Sequence, residues 1–450
     1  MVTPGKRRSR KRHALNVWMN GQRVGTWTVA ENRAQRFQYV EAWVQSEAAR
    51  ILSLSLPFQP GNQAHEGSTV ENFFDNLLPD SKDIRERLQR KFRTKSDQAF
   101  DLLDEIGRDC VGAVQLLPED EEPRGWDQIT ATPLTDTQVE KVLKAVVTPA
   151  FAGQDEPDEL RISIAGAQEK TALLWHEGRW HAPKGATPTT HILKLPLGLV
   201  GNMKADMSTS VENEWLCSRL IAAYGMDAAD CHIQVFGETK ALVVKRFDRR
   251  LAHQGRYWLR LPQEDMCQAT GMPAAARYEA DNGPGMKTIL DLLRGSSRQE
   301  HDRRAFLKAQ ILFWMLAATD GHAKNFSIFH ERNATYRMTP LYDVLSAWPI
   351  IGDGPNQLSW HRAKLAMAWR SENAHYRLSD IRRRHFNRVA ASLGVGKNAE
   401  DIIEELLVAT PKAIDQVRAQ LPNSFPEQVA GRIFEGLSGS AESLRKMPID

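Results

Sequence analysis

The hydrophobic pattern of this 450-residue chain changes near residue 256, and this change constrains the fold more than any other feature. Before it, short apolar runs with β-branched residues predict strands. After it, apolar residues recur every three or four positions, which predicts buried helices such as His301–Thr319. The predicted strands are Thr171–Trp175, Arg179–His181, Thr190–Leu195 and Ala241–Phe247, and one helix, Glu212–Tyr224, lies among them. A sheet-rich lobe followed by a helical lobe predicts an α+β protein with a cleft between the lobes, where small-molecule sites commonly lie.

A smaller α+β unit precedes the two lobes. Leu15–Val29 alternates around Asn20-Gly21, the strongest short signal for a β-hairpin. The other predicted elements of this unit are helices over Val70–Leu78 and Ala99–Ile106 and a strand over Val111–Leu117. The acidic, proline-containing stretch Glu119–Gly125 predicts a linker. We therefore divide the chain into a basic tail (1–13), an N-terminal unit (14–125), a sheet-rich lobe (126–255) and a helical lobe (256–450).

The composition argues against several classes of protein. No run of eighteen apolar residues is present, which excludes a spanning helix, and the first twenty residues lack the apolar core of a signal peptide. The four cysteines form no Cys-x-x-Cys pair, so we expect neither a disulfide framework nor a zinc site. We therefore expect a cytoplasmic protein with no membrane contact.

Positive charge is concentrated in two clusters, although the net charge is only +3. One cluster lies in Lys6–Arg12 and the other in Arg382–Arg388. Such clusters can bind the phosphate backbone of nucleic acid, but each alone is more often a solvated tail or a solvated helix face.

The polar turn after the predicted helix His301–Thr319 has the spacing of a catalytic loop. Asp320 precedes Asn325 by five residues, as in protein kinases, where the aspartate accepts the substrate hydroxyl proton and the asparagine binds Mg²⁺. The alternative is an ordinary Asp-Gly turn after a helix. Asp343, at the end of a predicted strand over Tyr336–Asp343, favours the catalytic interpretation because a kinase needs a second acidic metal ligand there. An aspartate can also cap a helix, so Asp343 alone does not decide between the catalytic and the structural interpretation.

Two weaker signals lie in the sheet-rich lobe. Small residues between Ile162 and Thr171 allow the backbone to approach phosphate oxygens, although the segment is not a Walker A sequence and such segments are more often ordinary turns. Lys194 ends the predicted strand Thr190–Leu195 and is a candidate cation for nucleotide phosphates. An exposed lysine at a strand end is the more common explanation for a single residue of this kind.

Together these residues resemble the HipA family, the serine/threonine-kinase toxins of bacterial HipBA modules. The resemblance covers nearly the whole chain after the basic tail and is most specific in Leu261–Gln268 and Asp320–Ser327. The other segments that carry it are Asn72–Ser81, Phe100–Val114, Arg161–Leu174, His191–Pro196, Lys245–Arg249 and Leu341–Ala347. It implies a two-lobed fold related to protein kinases and phosphatidylinositol kinases, with an N-terminal β-rich subdomain and a helical C-lobe.

The resemblance also implies roles for individual residues, with ATP and Mg²⁺ as cofactors. Asp320 would be the catalytic base, Asn325 and Asp343 would be the Mg²⁺ ligands, and Ser163 would be autophosphorylated. A phosphate on Ser163 would compete with ATP for the same loop and inactivate the enzyme. The expected ATP contacts are Ala165, Gly166, Ala167, Gln168, Glu169, Lys170, Lys194, Lys245, Arg246, Phe247, His322, Ala323, Lys324, Asn325, Tyr342 and Asp343. Main-chain groups of Lys245, Arg246 and Phe247 would hold the adenine.

The same resemblance implies a toxin that phosphorylates an aminoacyl-tRNA synthetase, glutamyl-tRNA synthetase being the usual example, and so arrests growth in the state called persistence. Its implied partners are a HipB-like antitoxin, which is a helix-turn-helix dimer, and operator DNA bound through the complex as a repressor. Two alternatives stay open: a catalytically silent kinase fold that acts as a co-repressor, and a small-molecule or lipid kinase. The basic tail is an addition to the family pattern and residues after Trp348 match it more loosely, so no DNA or antitoxin contact is transferred to them. Lys245 stands where the family can carry Glu, so a side-chain contact with ribose is not transferred either.

Overall fold

The structure, a computed structural model, describes residues 14–147, 163, 165–166, 168–201 and 204–449. The predicted basic tail and Ala167 of the predicted phosphate loop therefore lie outside the described residues. Three apolar cores organise the rest: one in the N-terminal unit, one in the sheet-rich lobe, and a large one centred on the helical lobe that also includes the buried side of the helix Ser210–Ala223. Among the residues described, no helix has the length and apolar composition needed to cross a bilayer.

A five-stranded antiparallel sheet and four helices form the N-terminal unit. Its strands lie in the order His65–Glu66, Gln35–Tyr39, Gln22–Val29, Ala14–Met19 and Gln115–Pro118, and its helices are Glu41–Val44, Ser68–Asp75, Lys82–Phe92 and Ala99–Ile106. The predicted hairpin is confirmed, with Asn20 and Gly21 at φ 47° and 79°, as its two-residue turn requires. Trp27 stacks on Phe74 with ring centroids 4.0 Å apart, so the sheet and the helix Ser68–Asp75 share one core.

Two elements of this unit end differently from the prediction. The helix predicted to reach Leu78 ends at Asp75, where the Asn76 side chain donates to the carbonyls of Asn72 (2.8 Å) and Met272 (2.9 Å). The last strand begins at Gln115 instead of Val111. At the predicted start of this strand, the carbonyls of Cys110 and Gly112 accept hydrogen bonds from the Arg249 side chain, which belongs to the buried charge cluster described below.

The sheet-rich lobe contains a six-stranded antiparallel sheet. Its strands lie in the order Cys231–Phe236, Thr239–Lys245, His191–Lys194, Lys170–His176, Arg179–Pro183 and Ala131–Leu134. Shorter strands are Leu199–Val200, Ala205–Asp206 and Arg249–Ala252, and the helices are Asp136–Val147 and Ser210–Ala223. The predicted strand through Phe247 ends at Lys245, because the Arg246 side chain turns into a buried charge cluster.

The helical lobe is built mainly from six helices, with short strands around them. The helices are Met266–Thr270, Met286–Leu292, Gln299–Met315, Arg383–Ser392, Glu400–Arg418 and Glu427–Lys446, and the strands are Tyr257–Arg260, Gln263–Asp265, Ser327–His330, Tyr336–Met338, Lys364–Arg370 and Ala374–Arg377. The helix predicted to reach Thr319 ends at Met315, and Ala317 takes a left-handed φ of 50°. One helix, Glu400–Arg418, continues through Pro411, and Leu407 and Ile414 on either side of the proline are both buried in the same core.

A buried charge cluster joins the N-terminal unit to the sheet-rich lobe and to Arg260 at the start of the helical lobe. Asp109 accepts hydrogen bonds from Arg249 (2.9 Å), Arg260 (3.1 Å) and the Thr189 hydroxyl (2.6 Å). Arg246 lies in the same cluster, and Asp248 is its second carboxylate. All five charged side chains are buried. This cluster, which we call the domain joint, fixes the N-terminal unit beside the loops of the candidate site.

Candidate active site

Lys194 is the central cation of the site. Its Nζ donates to Glu214 Oε1 at 2.6 Å and to Asp343 Oδ1 at 2.8 Å, and its side chain is only 7% exposed. Burial alone lowers the pKa of an ammonium group, but the two carboxylates outweigh burial and raise the pKa of Lys194 above its ordinary value. Lys194 is therefore a charged, fixed group, and its interpretation as an exposed strand-end lysine is wrong.

Glu214 lies in the site, although no sequence motif indicated it. It lies on the buried helix Ser210–Ala223, and burial raises its pKa to about 7 although Lys194 acts in the opposite direction. Protein kinases use a Lys–Glu pair of this kind, a strand lysine and a helix glutamate, to fix the lysine that contacts phosphates. The available signal was a carboxylate on a helix predicted to be buried, since a buried charge requires a partner.

The predicted loop Asp320–Asn325 follows the helix Gln299–Met315 and lies against Asp343. The Asn325 amide nitrogen donates to the main-chain carbonyl of Asp320 at 3.0 Å and to that of Asp343 at 3.1 Å. The three polar residues predicted from spacing therefore meet in one place. Because the Asn325 amide group faces these carbonyls, its oxygen is turned away from them and is suited to a cation.

Asp343 has a conformation that excludes the helix-cap interpretation. Its φ of +58° is left-handed, and the predicted strand leading to it forms a ladder only over Tyr336–Met338. Burial raises the pKa of a carboxyl group, but Lys194 and Lys170 reverse the effect and lower the pKa of Asp343 to about 2. Asp343 therefore presents a carboxylate to the site at any physiological pH.

Asp320 is exposed, and its carboxylate accepts a hydrogen bond from the Tyr278 hydroxyl. The Tyr278 ring lies edge-on to His322 at 5.0 Å. His322 is buried, and its Nδ1 has no hydrogen-bond partner in the described protein, which is the state of a polar atom that a ligand or water completes. The predicted catalytic base is thus exposed, while the neighbouring His322 is buried.

The described part of the predicted phosphate loop is held by the N-terminal unit. Ser163 is buried, its hydroxyl donates to the Leu77 carbonyl at 2.7 Å, and its amide donates to the Asp109 carbonyl at 3.2 Å. The Gly166 carbonyl accepts from the Asp80 amide at 3.1 Å. Gly166 has φ 110°, a backbone conformation that residues with a Cβ rarely adopt, so this position favours glycine. The sequence did not indicate this docking.

The side chains of the other predicted phosphate-loop residues each contact a different part of the protein. The Gln168 side chain donates to the Leu195 carbonyl at 2.6 Å, and Glu169 is paired with Arg87 of the N-terminal unit. Burial and the charge of Lys194 lower the pKa of Lys170. Lys170 pairs in register with Lys194 on the neighbouring strand, so both lysines lie at the same edge of the site.

The predicted adenine segment lies at the end of the strand Thr239–Lys245. The Lys245 amide donates to the Asp230 carbonyl (2.8 Å) and the Arg246 amide donates to the Thr190 carbonyl (2.9 Å), so an adenine would use carbonyls or the main chain of Phe247. The Lys245 side chain is exposed, whereas that of Arg246 is directed into the domain joint. Phe247 contacts the Tyr342 ring with centroids 5.7 Å apart.

Lys324 points away from the expected nucleotide side. Its Nζ donates to Asn76 Oδ1 at 2.7 Å and lies 3.3 Å from Asp265 and 3.5 Å from Asp80. Its carbonyl accepts a hydrogen bond from the Tyr342 hydroxyl at 2.7 Å. Lys324 therefore connects the predicted catalytic loop to the N-terminal unit, and Ala323, also predicted to contact ATP, is fully buried beside it.

The donor set fits a magnesium ion. Among the described residues there is no cluster of three His, Cys, Asp or Glu side chains that would hold a metal by itself. Asn325 and Asp343 offer two hard oxygen ligands, and Mg²⁺ characteristically uses one or two protein oxygens together with phosphate oxygens and water. The unpartnered His322 Nδ1 lies in the same loop.

The basic cluster Arg382–Arg388 is not one continuous surface. Arg383 is buried, pairs with Glu404 at 2.7 Å and donates to Glu400 at 3.1 Å. His385 is also buried, and burial lowers its pKa to about 4, so it carries no charge at neutral pH. The exposed cations of the cluster are Arg382, Arg384 and Arg388. The uniformly solvated or DNA-facing interpretation of all five side chains is wrong.

Comparison with known proteins supports one family over most of the chain. A family profile described as "HipA-like C-terminal domain" matches residues 162–414, and one described as "HipA N-terminal domain" matches residues 15–117. The chain is 34% identical over 431 residues to a Sinorhizobium fredii protein named "Putative kinase Y4mE", covering 93% of this chain and 97% of the relative. It is 28% identical over 321 residues to the Shewanella oneidensis "Serine/threonine-protein kinase toxin HipA", covering 68% and 69% of the two chains.

A solved structure has the same fold. It is a chain from the complex of Shewanella oneidensis MR-1 HipA, HipB and operator DNA, with a TM-score of 0.77 and 22% sequence identity over 96% of this chain and 97% of that chain. The predicted two-lobed α+β architecture is therefore confirmed.

Proposed function

The chain belongs to the HipA family, and from this premise we propose that it is a Mg²⁺- and ATP-dependent serine/threonine protein kinase and the toxin of a toxin–antitoxin module. The observation that carries the proposal is the meeting of two pairs in one site. Lys194 is fixed by Glu214 and Asp343, and Asn325 is bonded to the main chain of both Asp320 and Asp343. A protein that only binds partners has no chemical need for this arrangement.

Each residue has a defined task in the proposed reaction. The oxygen of an acceptor serine forms a bond to the γ-phosphorus of ATP, the bond from that phosphorus to ADP breaks, and the hydroxyl proton passes to Asp320. Lys194 stays charged and neutralises phosphate oxygens, while Glu214 keeps it in place. Mg²⁺, held by Asn325 and Asp343, would supply further neutralisation of the phosphates.

The buried state of Ser163 supports a self-inactivating modification. Its hydroxyl donates to the Leu77 carbonyl, and a phosphate there would replace a donor with charged acceptor oxygens facing another acceptor. Phosphorylated Ser163 therefore cannot keep its contact with the N-terminal unit. We propose that autophosphorylation at Ser163 releases the loop and ends ATP binding.

The proposed partners follow the family. The Shewanella relative of the same fold was solved with HipB and operator DNA, and we extend to this chain a helix-turn-helix antitoxin of the HipB type and operator binding through the complex. We propose an aminoacyl-tRNA synthetase, glutamyl-tRNA synthetase first, as the protein substrate. Aminoacylation of the corresponding tRNA would then stop, and growth would arrest.

Intact mass spectrometry tests the proposal. Dephosphorylated wild-type protein is incubated with ATP and Mg²⁺ beside Asp320→Ala and, as a matched control, Asp353→Ala, which removes an exposed aspartate outside the site. We expect one phosphoryl adduct at Ser163 in the wild type and in Asp353→Ala, and none in Asp320→Ala. Absence of both this adduct and transfer to synthetases in the wild type would favour the silent co-repressor instead.

A further inference from the structure

A short turn of the N-terminal unit contacts both loops of the candidate site. It follows the helix Ser68–Asp75, consists of residues 76–80, and is called here the 76–80 turn. Its contacts reach the catalytic loop through Lys324 and the phosphate loop through Ser163 and Gly166. One piece of backbone therefore lies between the two segments that have to be aligned for phosphoryl transfer.

On the catalytic-loop side, the 76–80 turn holds a buried charge. Lys324 Nζ lies among Asn76, Asp80 and Asp265, and the side chains of Lys324 and Asp80 are each only 4% exposed. Asp80 also lies 4.0 Å from Arg277, whose carbonyl accepts the Ala323 amide at 3.1 Å. Asp80 thus reaches the loop by two routes, directly to Lys324 and through Arg277 to Ala323.

On the phosphate-loop side, the contacts are made by main-chain atoms. The Asp80 amide donates to the Gly166 carbonyl, and Pro79 and Gly166 form a parallel bridge. The Leu77 carbonyl accepts the Ser163 hydroxyl. Departure of the phosphate loop would therefore remove hydrogen bonds from the same turn that fixes Lys324.

We propose that Asp80 is a positioning residue that aligns the Asp320–Asn325 loop with the phosphate loop, an inference that rests on the proposed kinase function. Its charge fixes Lys324, the residue directly before the proposed metal ligand Asn325, and its amide fixes Gly166. Release of the phosphate loop then also loosens the catalytic loop, so self-inactivation acts on both sides of the site.

The charge and the amide of Asp80 can be separated experimentally. Asp80→Asn removes one of the two carboxylate charges beside Lys324, leaving that of Asp265, and keeps the side-chain shape and the amide that holds Gly166. We therefore expect kcat to fall about 10- to 100-fold while KM for ATP stays near the wild-type value, because misalignment affects the reacting groups and not nucleotide binding. The matched control is Asp75→Asn, which weakens a pair with Arg85 (2.6 Å). Because Arg85 also donates to the Pro79 carbonyl (2.6 Å), this variant disturbs the same turn but leaves the charges beside Lys324 unchanged.

Hydrogen exchange gives a second measurement that does not depend on kinase activity. Amides of residues 319–327 should exchange faster in Asp80→Asn than in wild type or Asp75→Asn. Equal exchange in all three proteins, or the same acceleration and kcat loss in Asp75→Asn, overturns the proposal. If the wild type transfers no phosphate yet exchange rises only in Asp80→Asn, the positional link stands and the kinase proposal fails.

Discussion

Replacing Asp109 with Asn tests whether the domain joint depends on charge balance. Asp109 and Asp248 face three guanidinium groups, those of Arg246, Arg249 and Arg260. Asn keeps the shape of the side chain but only one acceptor oxygen, and its NH2 group takes the place of an oxygen that accepts hydrogen bonds from Arg246, Arg249, Arg260 or Thr189. The substitution therefore removes the negative charge together with one hydrogen-bond acceptor. Three buried cations would then be left with one carboxylate.

The size of the effect follows from burial. The five charged side chains are each at most 7% exposed, so water compensates little for the lost charge. Removing one partner from a buried ion pair costs about 3–5 kcal/mol, against a total stability of about 5–15 kcal/mol for a typical domain. We expect the free energy of unfolding of Asp109→Asn to be lower than that of the wild type by about this amount at neutral pH.

The pH dependence gives a second check. Burial would raise the pKa of Asp109, but the three guanidinium groups reverse this and hold it far below its ordinary value. A carboxyl whose folded pKa is depressed contributes stability above its unfolded pKa, about 3.9, and loses it as the pH falls below that value. The difference between wild type and Asp109→Asn should therefore be constant from pH 5 to pH 8 and shrink below about pH 4.

Urea unfolding followed by tryptophan fluorescence measures the difference. The control is Asp401→Asn, which breaks a surface pair with Arg304 in which the aspartate is 65% exposed, and we expect it to cost less than about 1 kcal/mol. If Asp109→Asn loses no more than Asp401→Asn, the buried-charge argument is refuted.

Three further predictions follow from the site and the helical lobe. Glu214→Gln removes one of the two carboxylates that fix Lys194, so phosphoryl transfer should fall about 100-fold in a radiolabel assay, and an unchanged rate contradicts the role of the pair. Burial lowers the pKa of His385 to about 4, so between about pH 6.5 and pH 4 the unfolded chain binds a proton at this residue and the folded protein does not. The urea midpoint of the wild type should therefore fall as the pH is lowered through this range, and it should fall less steeply in His385→Gln. Replacing the exposed Arg384 and Arg388 with Ala should reduce the salt slope of operator binding by the complex by about 1 to 2, whereas Arg383→Ala should lower thermal stability instead; an unchanged slope removes this face from DNA contact.

Local signals in the sequence predicted much of the fold. The Asn-Gly hairpin and the helix Ala99–Ile106 were predicted because turn chemistry and helical spacing act over a few residues. The spacing of Asp320 and Asn325 was informative for the same reason, since one short loop carries both. The roles of these two residues in catalysis and metal binding stay predictions.

Contacts distant in the chain were not predictable in this way. Asn76 and Lys324 are 248 residues apart, and no local pattern indicates that they meet. The role of Glu214 was not predictable for the same reason, because its partner Lys194 belongs to another element. The Arg246 and Lys324 side chains also make contacts of this distant kind. The resemblance to the family predicted both residues as ATP contacts, but their charged groups are directed to other carboxylates.

The domain joint also sets an order of events during synthesis. Arg246 follows Asp109 by 137 residues, Arg249 by 140 and Arg260 by 151. At ribosomal speeds of about 5–20 residues per second, Asp109 is synthesised about 7 to 27 s before Arg246, its first arginine partner. During that interval the N-terminal unit relies on its own apolar core, and Asp109 stays hydrated at an open surface. The two parts of the chain therefore dock only after the lobe's strand Thr239–Lys245 has been made, so a nascent chain that stalls earlier exposes an unpaired carboxylate where the finished protein has none.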